Sequence, residues 1–370
     1  MGNVIDDMRS SFDDFGMRAF NEVDSLVLSQ LAYARMPAVV PHYPSFSMVP
    51  LQSLLRAESY DAMFNRVWSP QANVELVRAM CENPRWRDVR VGGYVSESDP
   101  ETAKQFSAST FDLGDGLLYI AFRGTDSSIV GWKEDFMMAF RRPVAAQEAA
   151  ARYVREVAAH WHGLIMLGGH SKGGNLAVYA AAVAPEPIQD RIIAVYSHDG
   201  PGFDESFMNT PGFARMAGRI HKTVPSSSII GMLFEPRADT GNDHAGYTVV
   251  ASDGIGIMQH FALNWQVRDG AFEKTPGLSQ GAEYLADVIN GWMNRYDDER
   301  RRLFIENLFT ILESGGYDTF GELSAHWRQT VPMMVQAARG VDPEEREAMI
   351  AVVGGLVASA LKPGEQQTEE

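Results

Sequence analysis

The order of apolar and polar positions divides the chain into three stretches. To about Pro84 the period is helical. The segment "NEVDSLVLSQLAYARM" gathers Leu26, Leu28, Leu31 and Ala32 toward one face, with Asn21 ahead of it as a cap. "SPQANVELVRAMCENP" places Ser69 before Pro70, a favoured helix entry because proline has no N–H to leave unsatisfied in the first turn. From Val89 the period changes. "VRVGGYVSES", "KQFSAST" and "GLLYIAFRG" predict three strands, the last two joined by the tight turn "LGDG". Helices and strands then alternate: a helix over "AAQEAAARYVREVAAHW", a strand over "LIMLGG", a helix over "KGGNLAVYAAAVA" and a strand over "RIIAVYSH". Two more strands follow, over "RIHKTV" and "YTVVAS". These strands are continuous apolar runs, as in a sheet buried on both faces. The pattern predicts an α/β domain whose mostly parallel sheet is covered by helices on either side.

A break follows at "EKTPGLSQG". Beyond it the chain reads as helices over "AEYLADVINGWMNRY", "ERRRLFIENLFTILESG" and "FGELSAHWRQTVPMMVQAARG", with a last one opening at Asp342-Pro343. The expected organisation is an α/β domain over 1–275, a helical appendage over 276–362 and a disordered tail over 363–370.

Charge narrows the partners. With 48 acidic against 32 basic side chains the net charge is −16. That argues against nucleic acid, whose binding needs a basic patch, and against docking on an anionic membrane surface. The lone Cys81 allows no internal disulfide and reads as a buried thiol near a helix end. The N-terminus lacks an apolar signal core, and Asp6 stands where a myristoylation motif wants a hydroxyl. The run "AMIAVVGGLVASAL" is too short to span a bilayer, so no transmembrane segment is expected and a cytoplasmic location is. No metal-binding or dinucleotide-binding motif occurs, so no cofactor is expected.

The sharpest chemistry lies in "LIMLGGHSKGGNLAVYAA". Gly169-His170-Ser171-Lys172-Gly173 is a G-x-S-x-G between an apolar strand and a helix rich in small residues. This is the setting of a nucleophile elbow in an α/β-hydrolase fold. A sharp turn there lifts the Ser171 hydroxyl above the sheet. The helix N-terminus aims its N–H groups at the site, which makes the Lys172 N–H one expected oxyanion donor. The second donor should come from the loop after an upstream strand, where "FRGTD" places Thr125.

Taken together, "FRGT", Trp132, Asp135 and "GHSKGG" resemble the class 3 (fungal-type) lipases. The segments "FNEVDSLVLSQLAY", "GWKEDF", "GGHSKGGNLAVYAA" and "HDGPGF" resemble a bacterial family of lipase-like proteins known as domain of unknown function 2974. The resemblance implies the hydrolase fold and a lid over Ser127–Phe140. There Ile129, Trp132, Phe136 and Phe140 fall at helical spacing on one apolar face, although an ordinary helix packed on the sheet fits the same pattern.

A base and an acid should follow the serine in the chain. His260, after the last strand, is the expected base, with His244 second. The acid departs from the lipase pattern. The place where class 3 lipases carry it corresponds here to "TVPSSSIIGML", which holds serines and no carboxylate. Asp199 in "YSHDGPGF", at the end of the preceding strand, is the substitute, with Asp239 and Asp243 as alternatives and a turn-forming role for Asp199 equally open. The resulting expectation is a serine hydrolase acting on an acyl ester or lipid-like small molecule through Ser171, His260 and Asp199. The alternatives are a non-catalytic hydrolase fold used for binding, or thioester, amide or peptide cleavage by the same serine.

Overall fold

Along the strand Leu117–Phe122, Tyr119 and Ala121 join one hydrophobic cluster while Leu118, Ile120 and Phe122 join another. This two-residue alternation, buried on both sides, is the plan of the molecule. The computed structural model describes residues 2–99, 104–125, 143–235, 246–254, 256–317 and 326–341, together with Met138, Glu322, Arg346 and Met349. Eight strands form one sheet in chain order: β1 (Met48–Pro50), β2 (Arg90–Asp99), β3 (Lys104–Asp112), β4 (Leu117–Phe122), β5 (Leu164–His170), β6 (Ile192–His198), β7 (Ile220–Pro225) and β8 (Thr248–Val250). Strands β1 to β4 pair antiparallel, and β4 to β8 pair parallel. This is the α/β architecture expected from the alternation, a mostly parallel sheet with helices on both faces. The antiparallel share is larger than the strand pattern alone conveyed.

One face carries α1 (Val4–Ser10), α2 (Glu22–Leu31) and α3 (Pro70–Glu82). The other carries α4 (Ala145–His160) and α5 (Lys172–Ala182). Asn21 caps α2 as its position suggested, accepting from the N–H groups of Val23 and Asp24. The helix differs from expectation in having no solvent face: Val23 to Leu31 are all buried. Its polar residues are used inward. Ser25 and Ser29 bond the Tyr119 hydroxyl at 2.7 and 3.1 Å, and Ser25 Oγ lies 2.8 Å from His198 Nε2. Ser69 also departs from expectation, since it sits at φ 53 and makes no side-chain cap; Pro70 alone starts α3. Cys81 is buried, and burial pushes its thiol up to about 12, so it stays protonated at neutral pH.

The N-terminal layer is stitched to the segment after β8. Asn3 Nδ2 and Asn21 Nδ2 donate to the carbonyls of Leu263 and Gly270, and the Gly270 N–H donates to Asp7. Within the layer, Arg85 is buried against Asp24, with Nη2–Oδ2 2.6 Å and Nε–Oδ1 2.7 Å. The remaining N–H groups of its guanidinium reach the carbonyls of Asp14, Arg18 and Ala19. A third cluster joins Ile229, Ile230 and Leu233 to α6 (Gln280–Arg295), α7 (Asp298–Glu313) and α8 (Trp327–Ala337). The helix expected from Asp342 and the tail beyond it lie largely outside the described residues. No helix among the described residues is long and apolar enough to cross a membrane.

Removing one partner of the Arg85–Asp24 pair leaves a charge stranded where water cannot reach it. Arg85→Leu should lower unfolding stability by about 3–5 kcal/mol, read from urea titration. The double change Arg85→Leu with Asp24→Leu should recover much of that loss. Equal destabilisation of single and double variants would contradict this account.

Candidate active site

Strand β5 ends at His170 and α5 begins at Lys172, so Ser171 alone makes the turn. It does so at φ 57 and ψ −134, a conformation costly for any residue with a side chain, by about 1–3 kcal/mol. Two glycines let strand and helix come close enough to impose it. A Cβ on Gly169 would stand 2.3 Å from the Gly173 carbonyl carbon, and one on Gly173 would stand 2.1 Å from the Phe122 carbonyl oxygen. Gly174, Ala177, Ala180 and Ala181 then press the helix onto the sheet. The Ser171 N–H donates to the His198 carbonyl at 2.8 Å, which ties the turn to the neighbouring strand.

Asp199 follows β6 directly, at φ 51, and is wholly buried. His260 closes a short 3-10 turn, Gly256–His260, after β8. The two meet with His260 Nδ1 2.6 Å from Asp199 Oδ2. In that contact the ring donates from Nδ1, which leaves Nε2 as its acceptor nitrogen. The other Asp199 oxygen accepts from Ser228 Oγ at 2.5 Å and from the Gly231 N–H at 3.1 Å. Ser228 belongs to the serine run that stands where a class 3 lipase would carry its acid. Here that run supplies a donor to the Asp199 carboxylate instead. The turn bearing His260 is pinned on both sides. Trp265 Nε1 donates to the Gln259 carbonyl, and Gln259 Oε1 accepts from the Ser227 N–H, each at 2.8 Å.

His170 supports the same arrangement from beneath. Its Nε2 lies 2.7 Å from the His260 carbonyl and its Nδ1 2.9 Å from the Tyr33 hydroxyl. A carbonyl only accepts, so Nε2 carries the proton and Tyr33 donates to Nδ1. Burial, with His260 close by, pushes the His170 ring down to about 3, so it is neutral across the physiological range. Tyr33 was not singled out in the sequence because nothing local marks it; the fold carries it from the N-terminal layer. Gly124 makes room for it, since a Cβ there would lie 2.2 Å from the Tyr33 hydroxyl.

Ser171, His260 and Thr125 line one cleft, with Tyr33, Gln30, His170, Arg66, Val67, Trp68 and Phe261. Thr125 is buried there, three residues after the end of β4. Lys172 heads α5, where backbone N–H groups have no acceptor within the helix, and its side chain is wholly buried. Among the other histidines, His198 is wholly buried and held by Ser25 and Thr223, and His221 lies on β7. The residues expected in a lid, Ile129, Trp132 and Phe136, lie outside the described residues, as do Asp135, Asp239, Asp243 and His244. Among the described residues no three His, Cys, Asp or Glu side chains are grouped to hold a metal ion.

The family model described as Mbeg1-like matches residues 80–310. No curated protein matches the chain. Among solved structures the chain is similar to the Lip2 lipase from Yarrowia lipolytica, at 12% identity over 71% of this chain and 87% of that one, with a TM-score of 0.38. It is also similar to the M37 lipase, at 16% identity over 58% and 70% with a TM-score of 0.36. The native Rhizomucor miehei lipase propeptide complex is similar at 16% identity over 61% and 80%, with a TM-score of 0.31.

The buried histidines make stability depend on pH. His170 and His198 both have pKa values held below the ordinary 6.5, chiefly by burial. The unfolded chain therefore binds more protons than the folded one below about pH 6.5. The stabilisation is fully present above that pH and is lost as pH falls toward the folded values. The urea midpoint should drop steadily between pH 7.5 and pH 5; an unchanged midpoint would show that these rings are free to protonate in the fold.

Proposed function

We propose that this protein, which belongs to the Mbeg1-like family, is a serine hydrolase that cleaves carboxylic esters through an acyl-enzyme on Ser171. The observation that carries the reading is a serine on a strained strand–helix turn and a histidine whose Nδ1 is held by a buried carboxylate, the serine and the histidine lining one cleft. The Ser171 hydroxyl attacks the ester carbonyl as His260 Nε2 takes its proton. Asp199 keeps the ring in the required tautomer and stabilises the imidazolium that forms. The backbone N–H groups of Thr125 and Lys172 receive the oxyanion. His260 returns the proton to the leaving alcohol, and water, activated by the same ring, then frees the acid and restores the serine. The apolar wall of the cleft suits an acyl chain or another lipid-like group. An intact base–acid pair favours catalysis over use of the fold for binding alone.

A fluorophosphonate probe should label the protein at Ser171 and leave Ser171→Ala unlabelled. His260→Ala should slow ester turnover about as severely as Ser171→Ala, since the two act as a unit. Asp199→Asn, which keeps the shape and lets the ring adopt the wrong tautomer, should lower kcat by several orders of magnitude, on the order of 10⁴. Labelling that survives in Ser171→Ala, or is absent altogether, would overturn the reading.

A further inference from the structure

The cleft beside Ser171 is chemically lopsided in a way that cleavage of a neutral ester does not require. One part is aromatic. Trp68 stacks on Phe261 with ring centroids 4.3 Å apart and planes 17° from parallel, and Val67 lines the cleft beside them. The residue before Val67, Arg66, lines the same cleft and is exposed. No carboxylate is among the described lining residues. Arg66 has no hydrogen-bond or ion-pair partner among the described residues. Arg35, Arg152 and Arg155 are alike in this among the described residues, and of these arginines it is Arg66 that lines the cleft. A guanidinium cannot shed its charge, and its planar fork fits the paired oxygens of a carboxylate or phosphate.

We propose that the ester taken up by this cleft is anionic. It carries a carboxylate or phosphate group that Arg66 binds while its apolar part lies on Trp68 and Phe261. The proposal rests on the hydrolase reading of Ser171 and adds the substrate class. Because the chain's net charge of −16 repels anions at a distance, the attraction is local to Arg66. Beyond about 8 Å the wider field is screened at physiological salt.

The full chain is assayed with two matched pairs of esters. The first is para-nitrophenyl butyrate against mono-para-nitrophenyl succinate, which differ by a carboxylate. The second is a monoacylglycerol against the lysophosphatidate of the same acyl chain, which differ by a phosphate. At least one anionic member should exceed its neutral partner in kcat/KM by about tenfold or more, the size of one charged hydrogen bond. The pair that responds identifies the group. Arg66→Gln should reduce the anionic substrate at least tenfold more than the neutral one, and Arg66→Lys should keep part of the preference. Equal or better turnover of both neutral esters, or a preference untouched in Arg66→Gln, overturns the proposal. If that occurs while the fluorophosphonate still labels Ser171, this proposal fails alone. Loss of labelling together with all turnover removes the hydrolase reading and this proposal with it.

Discussion

A carboxyl group with no exposed surface must find its hydrogen-bond donors inside the chain, and Asp199 is such a group. Its three donors come from two other segments: the His260 ring after β8, and the Ser228 hydroxyl and Gly231 N–H after β7. Satisfying one buried side chain therefore sets the relative positions of three loops at the same end of the sheet. The positive φ of Asp199 turns it into that junction instead of letting β6 run on. Loops are ordinarily the loosest part of a domain; here they are bound to one another through Asp199 and, between the last two, through Ser227 and Gln259.

The second organising element is the polar seam under α2. A helix buried on every side cannot be held by apolar packing alone if it carries serines, because each hydroxyl must be bonded. Ser25 and Ser29 meet the Tyr119 hydroxyl, and Ser25 meets His198, so the helix has one register on the sheet. That register delivers Tyr33, two residues past the end of the helix, to His170. His170 in turn holds the main chain of His260. A chain of neutral hydrogen bonds thus runs from the N-terminal layer to the main chain of the residue whose imidazole is proposed as the base.

Much of this was legible in the sequence where the information is local. Strands β2 to β8, the turn at Ser171 and the cap at Asn21 are each specified by residues within a few positions of one another, whereas the short edge strand β1 was not read. The glycines around Ser171 are readable for the same reason, since a close approach of backbone to backbone admits no other residue. What could not be read depends on distant partners. Tyr33, Arg66 and Trp68 carry no local mark, and they reach the cleft only because the N-terminal layer folds over the sheet. The run Ser226 to Ser228 looked like a missing acid, because a motif records which residue stands at a place and not what it bonds to. Ser69 had the composition of a cap and the wrong backbone angle for one. The all-round burial of α2 was hidden because its serines look like a solvent face until their partners are known.

The stitching of the N-terminal layer to the segment after β8 also sets an order of events. Gly2 pairs with Val267, Asp7 accepts from the Gly270 N–H and Asn3 reaches Leu263. These contacts join residues more than two hundred and fifty positions apart, so the cost of closing the intervening loop falls before any of them forms. On the ribosome α1 and α2 can pack early on α3 and on strands β4 to β6, but these ties must wait until the segment after β8 has emerged. The cleft is thus completed by one of the last joins to be made, and a nascent chain that stalls earlier would present Ser171 without its neighbouring ring.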